Sequence, residues 1–235
     1  FRPGTLEKLG IGYEALQAVN PRVVYCAISG FGQDGPDALK SGHDLNYMGI
    51  AGALQLFGTP GTGPIVPGLS IADVGGGSLM AAFGILTALA ARDRTGQGQF
   101  VDISMTDGLV SWLCYHAADY LFAGVEPRGG VQRFLGGAPC YNVYRCADNL
   151  HLTLGIIEEH FWHRFCDLIG REDFKSDQWP VGDAAERQFA CLREAFAAGS
   201  RDHWVQTLVA ADLPAGPVNT MEEAFRDPQL VHRRM

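Results

Sequence analysis

A short apolar, β-branched run, VVYCAIS (residues 23–29), breaks directly into the glycine-bracketed loop GFGQDGPDALKSGHD. This junction narrows the fold more than any other feature of the chain. Such a run, bounded by turn residues, reads as a buried strand. Loops that follow buried strands are where α/β folds usually place their chemistry. The chain carries 30 glycines in 235 residues, more than ordinary usage, which predicts many tight turns and close backbone approaches.

Periodicity orders the rest. Residues 6–19 have helical spacing and stop at Asn20-Pro21. Residues 50–56 and the Pro/Gly-rich stretch after them read as irregular. ADVGGG then leads into a small-residue helix over 78–91, where Gly84 and the alanines suggest close packing. RTGQGQ is a turn, 100–104 a strand and 106–122 an aromatic-rich helix. The Gly- and Arg-rich segment 124–139 reads as a linker between lobes. Residues 141–146 and 150–154 alternate around Asp148-Asn149, a hairpin pattern. Residues 159–169, 185–198 and 201–211 are amphipathic helices, the last capped by Ser200, and 213–218 is short and extended. The expected organisation is a first domain over 1–123, a linker over 124–139 and a second, smaller α+β domain over 140–235.

Composition excludes some classes of function. A net charge of −8 argues against general nucleic-acid binding, which needs a basic footprint; a few local cations can still serve a polyanionic ligand. The six cysteines form no CxxC pair and read as reduced thiols of a cytoplasmic protein. Cys140, in the glycine-rich turn GGAPCY, is the one for which a chemical role is worth checking. The longest apolar run, 79–91, is too short to span a bilayer, so no membrane partner is expected. The chain opens on Phe1 rather than Met and closes at HRRM, which reads as a fragment cut at both ends.

Three side chains stand where they could move protons. His43 lies in SGHDLNY beside Asp44; a histidine next to a carboxylate can be oriented and its pKa raised, although a surface or structural role fits the dipeptide equally. Asp73 lies between LSIA and VGGGS at a helix start. It is either a plain N-cap or an acid-base group beside free N–H donors, with Gly75, Gly76 and Gly77 letting a ligand approach the backbone. Glu158 follows the apolar run HLTLGII and is either partly buried or a cap for the next helix. His160 and His163 lie three apart with no third ligand nearby, so no metal site is expected.

Taken together, FRPGTLEKLG, GHDLNY with IADVGGGSLMAAFGILTAL, and GGAPCYNVYRCAD with LGIIEE resemble the family III CoA-transferase superfamily, and within it the α-methylacyl-CoA racemases. The similarity runs over nearly the whole chain. It implies an α/β large domain with a Rossmann-like sheet, truncated here at its N-terminus, plus a smaller α+β domain, in an interlocked homodimer. It implies His43 and Asp73 as two bases facing opposite sides of the substrate α-carbon, with Asp44 and Glu158 holding and tuning the histidine. Phe1, Lys8, Leu9 and Tyr47 match CoA-contacting positions. The family more often has Arg where Lys8 stands, which loses the bidentate fork, and racemases commonly have proline where Glu159 stands.

The substrate class implied is an acyl-CoA thioester, with no cofactor beyond the CoA the substrate carries. The first hypothesis is racemisation of 2-methylacyl-CoA by two-base α-proton transfer, with N–H groups at the Asp73 helix start stabilising the enolate. The alternative is CoA transfer between carboxylic acids through a covalent Asp73 intermediate. The transferase branch often lacks the GHD element, and some members carry a glycine-rich loop near the later strand that this chain does not. Both features lean toward a racemase. A third reading is a CoA-binding fragment without activity.

Overall fold

A computed structural model describes the whole chain, residues 1–235, which divides into two units, Phe1–Gly129 and Gly130–Met235. The division falls inside the 124–139 stretch.

The first unit opens with two short helices, α1 (Thr5–Lys8) and α2 (Tyr13–Val19), rather than the single helix expected over 6–19. Gly10 between them is left-handed (φ 74°), and a Cβ on Gly12 would stand 2.8 Å from the Glu7 side chain. The apolar spacing counted residues on both sides of a turn that only glycine makes easily. Strand β1 (Val24–Ser29) follows. An unexpected helix, α3 (Asp44–Ile50), closes the glycine-rich loop. The stretch expected to be irregular contains a 3₁₀ turn, Ala53–Leu56, and a two-residue hairpin, β2 (Gly58–Thr59) with β3 (Gly63–Pro64).

π-Helical turns over Ala72–Leu79 then run without interruption into α4 (Met80–Thr95). After it come β4 (Gln99–Ser104), α5 (Met105–Trp112) and α6 (Cys114–Ala123). β4 pairs with β1 in parallel, Val24 opposite Gln99 through Ser29 opposite Ser104. The helix expected over 106–122 is thus two, broken at Leu113, and the first is capped by Ser104, whose hydroxyl accepts from the Asp107 N–H.

The helix expected to start at Ser78 begins six residues earlier, at Ala72. Its glycines disfavour a helix by local propensity, but tertiary contact reverses that preference. A Cβ on Gly76 would lie 2.3 Å from the Met105 carbonyl, one on Gly108 would lie 2.2 Å from the Gly76 carbonyl, and one on Gly75 would meet the Trp112 ring at 2.8 Å. The three-glycine run is therefore a backbone-to-backbone contact with α5. All three glycines are buried; only Gly75 borders a hollow, while Gly76 and Gly77 are taken up by contact with Met105.

The continuous helix Ala72–Thr95 has 24 residues and is long and apolar enough, by length and composition, to cross a bilayer. The length argument against a span, made on residues 79–91, therefore falls away. Here the helix packs on β1, β4 and α5.

In the second unit, β5 (Tyr141–Arg145) and β6 (His151–Gly155) form the hairpin, with Asn149 at φ 64° in its turn. Helices α7 (Glu159–Leu168), α8 (Asp183–Ala197) and α9 (Arg201–Ala210) follow, the last capped by the Ser200 hydroxyl. Strand β7 (Ala215–Pro217) adds to β6 antiparallel. Alternation sends Tyr144, Leu152 and Leu154 into a core with Trp162, Phe165, Leu192, Phe196 and Leu208. Two C-terminal helices, α10 (Met221–Arg226) and α11 (Pro228–His232), were not anticipated. The buried Arg201 ties α10 in place through two hydrogen bonds to Glu223, 2.7 and 3.2 Å.

Because Gly76 has carbonyl oxygen where a methyl would go, Gly76→Ala should lower stability by roughly 3 kcal/mol, as overpacked cores do. Chemical denaturation should show it, and an unchanged midpoint would contradict the contact.

Candidate active site

The residues of GHDLNY each do a separate local job. Tyr47 is buried, its ring edge-on to Phe31 at 5.2 Å, and its hydroxyl donates to the Gly42 carbonyl. A Cβ on Gly42 would stand 2.6 Å from that ring, and one on Gly30 would stand 2.3 Å from it. Both glycines are thus required by the tyrosine. His43 occupies the N-cap position of α3, and its N–H donates to Asn46 Oδ1 at 3.0 Å, which fixes the backbone that carries the imidazole.

Asp44 connects this element to the next. Its Oδ1 accepts the backbone N–H of Asp73 at 3.0 Å. The resemblance gives Asp44 the task of holding the histidine; the hydrogen bond it makes goes instead to the other proposed base. Asp73 is half-buried, and burial raises its carboxyl above the usual range, the Asp44 charge raises it further, and His43 pulls it back down. The same neighbourhood raises the Tyr47 phenol, first by burial and then by the Asp73 charge. His43, Asp44, Tyr47 and Asp73 therefore form one electrostatic cluster.

His43 and Tyr47 line a cavity of about 460 Å³ together with Phe1, Arg2, Ser29 and Lys40. Asp73 is not in that wall. Its chain neighbours Val74 and Gly75 line a second, apolar hollow of about 240 Å³ with Leu69, Ile71 and Trp112. Of the four residues matched to CoA contacts, Phe1 and Tyr47 line the larger cavity, while Lys8 and Leu9 are exposed on and just after α1, outside it. The cations at the cavity are Arg2, which donates to the Ser41 hydroxyl, and Lys40, paired with Asp37 at 3.4 Å. Sequence reasoning missed both; the signals that could have pointed to them are the place of Arg2 directly after Phe1 and of Lys40 three residues before His43.

The N–H donors at the Asp73 turn are not free in the way the enolate role requires. Asp73 N–H is bound to Asp44, and Val74 N–H donates to the Ser70 carbonyl at 3.1 Å.

Glu158 lies in the second unit. It stands at the N-cap position of α7, exposed, and makes no side-chain capping bond; its carbonyl accepts from Phe161 and Trp162 at 3.1 Å. The cap position expected for it is thus the one it takes, although its side chain makes no capping bond; it is not partly buried, because Ile156 before it takes the core position. Glu159 faces His163 at 3.8 Å, and the His163 ring also meets the Lys175 carbonyl at 3.3 Å. Cys140 is fully buried and its thiol is pushed up to about 11 by burial, which leaves almost no thiolate near neutral pH and removes it as a reactive group.

The CoA-transferase family III profile matches residues 1–235. The chain belongs to that family. It is 38% identical to the human (Homo sapiens) alpha-methylacyl-CoA racemase over 229 residues, covering 95% of this chain and 58% of that protein. It is 33% identical to the acetyl-CoA:oxalate CoA-transferase of Acetobacter aceti over 244 residues, covering 100% of this chain and 61% of that protein. Among solved structures, a CaiB/BaiF family protein from Brucella suis superposes with a TM-score of 0.83 at 30% identity, over 100% of this chain and 63% of its own. The chain thus spans about three fifths of the length of the relatives it matches. The fold is that of the family III CoA-transferases, as expected.

The raised Asp73 carboxyl has a consequence for stability. A carboxyl that is harder to ionise in the folded state adds stability while protonated and loses that contribution as pH rises through its folded pKa. Asp73→Asn should therefore raise Tm at pH 7, and the gain should vanish as the pH falls below the ordinary carboxylate range. Thermal melts across pH 3–8 check this; a variant less stable at pH 7 would contradict the electrostatic account.

Proposed function

We propose that the protein carrying this chain is an acyl-CoA enzyme that racemises 2-methylacyl-CoA thioesters by two-base α-proton transfer, with His43 and Asp73 as the bases. The observation that carries this reading is the Asp44–Asp73 hydrogen bond, which locks the helix start bearing the imidazole to the helix start bearing the carboxylate.

A base that removes a proton reversibly works best when its proton affinity is close to that of its counterpart. Burial and the Asp44 charge move Asp73 upward, in the direction of an imidazole. One group takes the α-proton, leaving an enolate, and the other delivers its own proton to the opposite face. The enzyme ends each turnover with its protons exchanged between the two bases. CoA enters as part of the substrate, with Phe1, Tyr47 and the cations Arg2 and Lys40 beside it, and Lys8 and Leu9 reaching its outer part. The apolar hollow bordered by Leu69 and Trp112 suits a hydrocarbon acyl chain. Glu158 is read as a tuning group and the active form as a cytoplasmic homodimer. Exposed Phe83, Leu86, Leu121 and Phe122 accord with a surface covered in such an assembly.

One observation favours a second reading. The Asp73 carboxylate accepts no hydrogen bond from another residue of the chain and is half-buried rather than sealed in the core, which leaves it open to attack a carbonyl. In CoA transfer it would attack the thioester carbonyl, expel the CoA thiolate and become a mixed anhydride. The thiolate then attacks the aspartyl carbonyl, releasing the donor carboxylate and leaving CoA as a thioester on Asp73. The acceptor carboxylate displaces it through a second anhydride that the thiolate opens at the acyl carbonyl, freeing Asp73. The similarity to transferases as well as racemases accords with this alternative.

Deuterium incorporation into 2-methylbutanoyl-CoA from heavy water separates the two. Wild type should exchange the α-proton, and His43→Ala should lose exchange by at least about a hundredfold, the usual contribution of a positioned base. Full exchange in that variant would remove His43 as a base, whereas no exchange in wild type together with an Asp73 adduct trapped by hydroxylamine would favour the transferase.

A further inference from the structure

Two hollows border the proposed pair of bases, and their walls differ in chemistry. The larger has His43 in its wall together with the cations Arg2 and Lys40. The smaller, about 240 Å³, is walled by Leu69, Ser70, Ile71, Val74, Gly75 and Trp112, with no ionisable group among them. An acyl-CoA divides in the same way, into a polyanionic nucleotide end and a hydrocarbon that begins at the α-carbon. A ligand whose α-carbon reaches Asp73 carries that hydrocarbon past the residues beside Asp73. Val74 and Gly75, the next two in the chain, are in the wall of the apolar hollow.

The hollow is held in shape on two sides. Ile71 packs against the core built around Met48 and Leu109. Trp112, the last residue of α5, lies with its ring on Gly75: a Cβ there would stand 2.8, 3.0 and 3.2 Å from its Cη2, Cζ2 and Cζ3 atoms. Bare backbone is thus required where the indole meets the turn after Asp73. Trp112 is nonetheless 51% exposed, so its side chain is anchored along one edge and open elsewhere. A large, stiff aromatic surface presented in that way is suited to packing against a flexible hydrocarbon.

We propose that Trp112 is a specificity-determining residue, the wall against which the acyl hydrocarbon lies, and that the hollow beside it sets the chain length the site favours. The inference deepens the acyl-CoA reading and rests on it. A hollow of about 240 Å³ takes about eight groups of methylene size, at roughly the 30 Å³ that a water molecule occupies in the liquid. Each methylene that enters leaves water and adds affinity. Carbons beyond a filled hollow stay in solvent and add none. The substrate class this selects is the medium-chain 2-methylacyl thioesters.

The test is calorimetric titration of the full-length protein with free CoA and with 2-methylbutanoyl-, 2-methylhexanoyl-, 2-methyloctanoyl- and 2-methyldodecanoyl-CoA. Binding is read directly, so the result does not depend on whether the site racemises or transfers. In wild type, Kd should fall about twofold to fourfold per methylene, the factor for burying one CH₂ in part or in full. The fall should level off between the octanoyl and dodecanoyl compounds. Trp112→Ala should lose most of the gain per methylene. Leu69 is 75% exposed, so Leu69→Ser keeps the test open should Trp112→Ala fail to fold, and it should lose part of the same gain. A full gain in Trp112→Ala, or in Leu69→Ser where that variant alone folds, would overturn the proposal. A wild-type Kd that ignores chain length would mean that the hollow is filled by another part of the protein, and would overturn it while leaving CoA binding intact. Failure of the wild type to bind free CoA or any of the acyl-CoAs would remove the acyl-CoA reading and this proposal together.

Discussion

One hydrogen bond, from the Asp73 backbone N–H to the Asp44 carboxylate, joins two segments 29 residues apart in sequence. Without it the glycine-rich loop after β1 and the glycine-rich start of the long helix would be neighbours by packing alone. With it, two ionisable groups of opposite type share a field, and the Asp44 charge that makes the bond also repels the proposed base it anchors. An N–H at a helix start is an orphan donor, and a carboxylate is the acceptor it favours most. The local requirement of a helix end and the electrostatic requirement of a base near an imidazole are met by the same oxygen atom.

That bond could not form if the backbones stood farther apart, and glycine sets the approach. Gly76 and Gly108 bring the Asp73 helix against α5 at a distance that excludes a methyl, while Gly30 and Gly42 admit the Tyr47 ring beneath the loop. Each element therefore lies where its bare backbone allows. The side chains of the site gain their positions from neighbours that have none. This explains why glycine runs with poor helix propensity sit inside a helix: the contact they permit outweighs the local cost, which is about 1 kcal/mol per glycine.

Much of this was legible in the sequence, though unevenly. The strand after residue 22, the hairpin around Asn149 and the Ser200 cap were readable because each rests on local signals: apolar run, alternation, turn residue and cap. The burial expected of that strand is not met, since residues 24–27 are only half-buried and Ile28 is exposed. The break at Gly10 and the true start of the Asp73 helix were not, since both turn on contacts made by residues distant in the chain. Helix α10 did carry a local signal, Thr220 three residues before Glu223, whose reciprocal capping bonds of 3.2 and 2.8 Å are present; it was overlooked because only a short apolar pattern follows. For the site, motif resemblance drew attention to His43, Asp44 and Asp73. What each side chain touches was beyond it: the partner of Asp44, the exposure of Glu158 and the contact of the Trp112 ring with Gly75 all depend on atoms that no spacing rule locates.

The direction in which Asp73 is pushed bears on both chemistries considered for the site, and it acts differently in each. A proton-transfer partner for an imidazole gains from every upward step, because the free-energy gap between the two protonated states narrows. A carboxylate nucleophile gains basicity from the same push, yet it must also leave again as the carboxylate of an anhydride, and a better nucleophile is a poorer leaving group. Burial, the first cause of the shift, acts on the free enzyme, whereas the counter-pull of His43 depends on the imidazole carrying its proton. The two upward influences, burial and the Asp44 carboxylate, are both fixed by the fold, the second by the hydrogen bond that Asp44 accepts from the Asp73 N–H. The upward push on Asp73 is therefore built into the same contact that holds the two helix starts together, and for the proposed racemase it acts in the direction that brings a carboxyl toward an imidazole partner.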